Sequence, residues 1–139
     1  MRVDTHIMAT KCYCIALRKA ERRVTSVYDE ALMPTGVNTA QFSLMRTIEQ
    51  EAPVSLSKIG RLAELDRSTV GRNVKVLERM GLVKTLHGED LREAAVVLTA
   101  RGRRVLVDGA KLWDEAQTAF ERTVGVAAAR HLRTLLQTL

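Results

Sequence analysis

Apolar positions recur every three to four residues over most of the chain, and the places where that period breaks divide it into six helices and one hairpin. From about Ala9 to Leu32, the residues Leu17, Val24, Tyr28 and Ala31 fall on one helical face, and Pro34 and Gly36 end the helix. A second helix runs from Thr39, a residue suited to capping, to about Glu51, with Phe42, Met45 and Ile48 along one side and Pro53 closing it. Ser55 or Ser57 can cap a short third helix containing Ile59, Leu62 and Ala63. Asp66 can cap a fourth, from about Arg67 to Met80, which stops at Gly81. Only Glu64-Leu65-Asp66 separates the two, which is the tight turn of a helix-turn-helix. The period then changes. Leu82 to Leu86 and Ala94 to Thr99 are β-favouring runs on either side of a polar loop, 87–93, that contains Gly88, and together they predict a hairpin. Thr99 can cap a long fifth helix to about Arg122, with Val105, Leu112, Ala116 and Phe120 on one side and Trp113 beside them. After Gly125 a sixth helix carries Val126, Ala129, Leu132, Leu136 and Leu139.

A hairpin directly after a helix-turn-helix is a wing. The fold class is therefore mainly α (α+β): a winged helix-turn-helix with a two-stranded wing over residues 39–99. An N-terminal helix (1–38) and C-terminal helices (100–139) flank it. With 139 residues in all, the winged core is nearly a complete small domain, so the first, fifth and sixth helices keep apolar stripes to bury. A second copy of the chain is the simplest cover for them, and a homodimer joined through these terminal helices is expected.

Charge sharpens the picture. Of a net +6, the segment from Lys58 to Arg104 holds eleven bases against six acids, a balance of +5. Within the fourth helix, Val70, Val74 and Leu77 lie within about 60° of one another and face the core. Ser68, Arg72, Lys75 and Arg79 lie opposite, with Thr69 and Val76 at the margin. A helix of this kind fits the major groove of duplex DNA, where arginine reads guanine, asparagine reads adenine and hydroxyls meet base edges. Ser68, Thr69, Arg72 and Asn73 are the candidates for base readout, Asn73 lying nearer the core, and Lys75 and Arg79 are candidates for phosphate. In the wing loop, Asp90 and Arg92 are two residues apart. In an extended strand they point the same way, so the carboxylate can hold the guanidinium while it probes a narrow minor groove.

These features together resemble the MarR family of winged-helix transcription regulators. The resemblance rests on Leu77-Glu78-Arg79-Met80-Gly81-Leu82-Val83, on Asp90-x-Arg92 and Leu98-Thr99-x-x-Gly102, and on Leu32-x-Pro34-x-Gly36-Val37 with Gln41-Phe42. It implies a homodimer, two recognition helices in successive major grooves of a palindromic site, and release of DNA when a ligand or an oxidant acts. The first helix also resembles the peroxide-sensing OhrR branch, in which a reactive cysteine near the helix start is followed fourteen residues later by a tyrosine that hydrogen-bonds it across the dimer. Cys14 and Tyr28 have that separation, but the second tyrosine of the branch, four residues after the cysteine, is Arg18 here. Cys12 and Cys14 flank Tyr13 in the first helix and project about 200° apart, which disfavours a disulfide between them. Three inputs fit these residues: a small apolar or phenolic effector bound where the first helix, the fifth helix and the wing-bearing unit meet, oxidation at Cys14, or no input at all.

Other classes find little support. The cysteines and His6, His87 and His131 form no metal-ligand pattern, so no metal or cofactor is expected. No phosphate loop, nucleophile elbow or spaced His/carboxylate set points to catalysis. No uncharged apolar run of about 18 residues and no signal-peptide pattern is present, so a cytoplasmic chain with no membrane partner is expected. The alternative function is a winged-helix protein-interaction module without specific DNA binding. Its interface would be depleted in charge, unlike the outer face of the fourth helix.

Overall fold

The computed structural model describes residues 11–88 and 93–139. Helix α1 spans Tyr13–Leu32 and passes through a 3-10 turn, Met33–Thr35, that ends at Gly36 in the left-handed region. Helix α2 (Thr39–Glu51) is capped one residue earlier than expected, by Asn38 instead of Thr39. Asn38 and Gln41 form a reciprocal capping box, while Thr39 turns its N–H and hydroxyl onto Asp29 Oδ1 at 2.7 and 2.6 Å. Asp29 lies on α1, so a contact between helices decides which neighbouring polar residue caps α2.

Ser55 caps α3 (Leu56–Ala63), and Asp66 caps α4 (Arg67–Arg79). Strands β2 (Val83–Leu86) and β3 (Ala95–Leu98) form the hairpin, each slightly shorter than the expected run. The wing is not only two-stranded. Val54–Ser55 forms a further strand, β1, antiparallel to β3, giving the sheet order β1-β3-β2. Two residues cannot display a period-two pattern, and Val54 joins the sheet because it is almost fully buried in the common core. Helices α5 (Ala100–Val124) and α6 (Val126–Gln137) complete the chain, with Thr99 capping α5 and Gly125 dividing the two.

A single core ties α2, α3, α4 and the sheet together. Phe42, Met45, Ile48, Ile59, Val70, Leu77 and Leu98 are at most 2% exposed. Helix α5 reaches this core through a row of small residues seven apart, Gly102, Gly109 and Ala116, the only positions of that helix that are buried. A methyl group built on Gly109 would stand 2.6 Å from the Phe42 ring, so the close approach of α5 to α2 depends on glycine there. The expected stripe of Val105, Leu112 and Phe120 is only half-buried within one chain. Along α1 only Tyr28 and Leu32 are buried, and Leu17 is exposed.

Candidate nucleic-acid interface

The turn between α3 and α4 is built for tightness. Glu64 adopts the left-handed conformation at the C-cap of α3, and Leu65 N–H closes back on Gly60 O at 2.9 Å. A Cβ on Gly60 would lie 2.8 Å from Leu65 O, so glycine is what permits the chain to fold back so sharply. Helix α4 then presents its charged face to solvent. Val70, Val74 and Leu77 are buried, as the helical period requires, while Ser68, Arg72, Lys75 and Arg79 are exposed and Thr69, Asn73 and Val76 are intermediate.

The start of α4 carries a small polar network. Asp66 Oδ1 accepts from Ser68 Oγ at 2.7 Å and from the Thr69 N–H at 2.8 Å, and Arg72 donates to Thr69 Oγ1 at 3.2 Å. Ser68 thus keeps its lone pairs free to accept. Among the described residues, no carboxylate lies within 4 Å of the Arg72, Lys75 or Arg79 charges, whereas Arg67 pairs with Glu93 and Lys58 with Glu51. Two links fasten the wing: Thr85 of β2 donates to Glu78 of α4, and Ser57 of α3 donates to Glu93, at the foot of β3. Asp90 and Arg92, the expected minor-groove pair, lie outside the described residues.

Bonds from the Ser68 hydroxyl, then from the Thr69 N–H, hold the Asp66 carboxyl down at about 2. The folded chain therefore favours the carboxylate, so the stabilisation is complete above the ordinary aspartate value of about 4 and is lost as pH falls towards the depressed one. The loss of stability over that window is expected to be smaller in Asp66→Ala than in wild type, as urea midpoints at matched pH will read.

Two further concavities bear apolar walls. One, of about 470 Å³, runs between α1, α5 and α6 and is walled by Leu17, Val24, Tyr28, Phe120, Leu132 and Leu136. Tyr28 donates its hydroxyl to Gln117 beside the Glu121–Arg133 ion pair, and its pKa is raised, chiefly by burial and then by Glu121, with Arg133 opposing. The other, of about 400 Å³, lies between α2 and α5, walled by Phe42, Leu106, Val107 and Trp113. Arg46 stacks its guanidinium there, 5.1 Å from the Trp113 ring centroid.

A family model for the MarR family matches residues 37–93. Over nearly its whole length the chain is similar to the transcriptional regulator MosR of M. tuberculosis, solved in complex with DNA. The two are 32% identical, the match covers 92% of this chain and 96% of that one, and the TM-score is 0.77. The chain belongs to the MarR family. A relative from Bacillus subtilis, the uncharacterized HTH-type transcriptional regulator YwoH, is 30% identical over 88 residues. That match takes in 63% of this chain and 64% of YwoH, slightly under two thirds of the relative's length. A mutant MarR of E. coli, complexed with operator DNA, has the same fold at 18% identity, with a TM-score of 0.86 and 98% of each chain covered.

For this MarR-family chain the cysteines stand differently from their expected places. Cys12 is the N-cap of α1 with extended backbone, so the 200° divergence expected of two helical residues does not apply to it. Cys14 is exposed, and both thiols are free. Cys14 and Tyr28 sit near opposite ends of α1, about 21 Å apart at 1.5 Å per residue, so they do not meet within one chain. Among the described residues no helix is long and apolar enough to cross a membrane, and no three His, Cys, Asp or Glu side chains gather in a group that could hold a metal ion.

The sequence reading missed Glu93, Ser57 and Gln117. Each acts through a partner 36 to 89 residues away, a separation that no local pattern records.

Proposed function

We propose that this MarR-family regulator is a homodimeric, sequence-specific repressor that places two copies of α4 in successive major grooves of a palindromic operator. The observation that carries the reading is the exposed face of α4, where three bases without carboxylate partners among the described residues stand beside two hydroxyls, Ser68 held by Asp66 and Thr69 held by Arg72. Ser68, Thr69, Arg72 and Asn73 read bases, and Lys75 and Arg79 hold phosphates. Asp90 and Arg92 serve the adjacent minor groove.

Fluorescence anisotropy on a palindromic duplex selected from a random pool tests this. Arg72→Ala is expected to weaken binding by about 1 to 3 kcal/mol and to relax preference at one base position, while Lys75→Ala weakens all duplexes alike. Equal affinity of the wild-type protein for every duplex would sink the specific-repressor reading and favour a protein-interaction module.

The input that relieves repression is assigned to a small, largely apolar effector in the α2/α5 concavity. Its volume suits a small molecule, Phe42, Leu106, Val107 and Trp113 supply apolar wall, and Arg46 and Gln50 supply polar handles beside the carboxylates Glu49 and Asp114. Because that concavity joins α5 to the helix that buttresses α3 and α4, filling it shifts the DNA-binding unit against α5. The exposed thiol of Cys14 supports a second input, in which an organic hydroperoxide oxidises the thiolate to sulfenic acid and leaves as the alcohol. Adding hydroperoxide to wild type and to Cys14→Ser, and measuring operator affinity in both, separates the two.

A further inference from the structure

One carboxylate oxygen gathers three parts of the DNA-facing unit. Glu93 Oε1 accepts from Ser57 Oγ at 2.7 Å and pairs with Arg67 Nη2 at 3.2 Å. Ser57 stands in the first turn of α3, Arg67 is the first residue of α4, and Glu93 is at the foot of β3. Arg67 is also the nearest neighbour of the readout positions on their N-terminal side, where a helix docked in the major groove meets the flanking phosphates. Its side chain is 65% exposed.

We propose that Arg67 is a further phosphate-contacting residue and that Glu93 is a positioning residue that regulates its engagement. The inference rests on the DNA-binding reading above. An exposed ion pair of this kind is weak, so a phosphate can displace Glu93 from Arg67. The displaced carboxylate is then unpaired beside the polyanion and takes up a cation. Counterions released from DNA at Arg67 are thereby offset at Glu93, and the net contribution of the Arg67–Glu93 pair to salt dependence in the wild type is close to zero. Glu93 in this way lowers affinity for DNA in general, while its bond to Ser57 keeps the foot of the wing against α3.

Glu93→Gln separates the two roles, because the amide oxygen still accepts from Ser57 while the charge is gone. With full-length protein and a duplex of random sequence, the slope of log affinity against log salt is expected to steepen by about 0.9 per subunit, with tighter binding at low salt. Arg67→Ala in the Glu93→Gln background is expected to restore the wild-type slope, and Arg67→Ala alone to flatten it by about 0.9 per subunit, because the unpaired Glu93 then takes up a cation with no release at Arg67 to offset it. Matching thermal melts identify the change as electrostatic. If wild type and Glu93→Gln bind with equal slopes, or if the steepening persists without Arg67, the assignment is overturned. Failure of the wild type to bind any duplex would overturn the DNA-binding reading itself.

Discussion

Replacing Leu132 and Leu136 together by glutamate is expected to turn the proposed homodimer into a monomer and to remove tight operator binding. The two leucines are 37% and 47% exposed in the single chain and wall the concavity between α1, α5 and α6, near the exposed Leu17, Val126, Leu135 and Leu139. An apolar surface of this kind on a regulator marks an interface. Burying the exposed half of each leucine contributes about 1 kcal/mol, and a symmetric interface holds four of them, so their loss alone is worth about 4 kcal/mol, or roughly a thousandfold in dimer dissociation constant. Glutamates facing each other across the same surface add repulsion. Analytical ultracentrifugation reads the first effect and anisotropy on a palindromic duplex the second. A double variant that sediments as a dimer would place the subunit interface elsewhere.

Among Gly36, Gly60, Gly71, Gly81, Gly102, Gly109 and Gly125, the glycine-to-alanine change expected to be most damaging is Gly102→Ala. Its Cβ would lie 2.1 Å from Leu82 O, and that oxygen also accepts the Thr99 N–H at 3.0 Å as the chain leaves β3 for α5. The obstacle is backbone, so no change of rotamer relieves it. Either α5 or the start of β2 must move, and with it the wing. Overpacking of this kind costs about 3 kcal/mol or more, which for a chain of this size lowers the melting temperature by roughly 10 °C. Gly71→Ala is the control. Its Cβ would meet only Leu56 Cδ1 at 3.9 Å, an ordinary contact, and alanine is the better helix former, so stability is expected to rise by up to about 1 kcal/mol. Thermal melts of the two variants should therefore move in opposite directions, and a Gly102→Ala melt equal to wild type would mean that α5 does not press on Leu82.

Six helices, their order and the hairpin follow from periods of 3.6 and 2 and from turn residues next to one another in the chain. The Asp66 cap and the division of α4 into a buried and a charged face are legible for the same reason: every residue involved lies within four turns of helix. That much the sequence determined by itself. What only the tertiary structure decided depends on residues distant in sequence meeting in space. Asn38 displaces Thr39 as a cap because Asp29 claims Thr39, Val54–Ser55 becomes a strand because β3 arrives beside it, and Gly102 and Gly109 are constrained by Leu82 and Phe42. Glu93 acquires its place between Ser57 and Arg67 in the same way. Local periodicity records which face a residue turns inward. The atom it meets there is set by packing, which brings together parts of the chain that no short window contains.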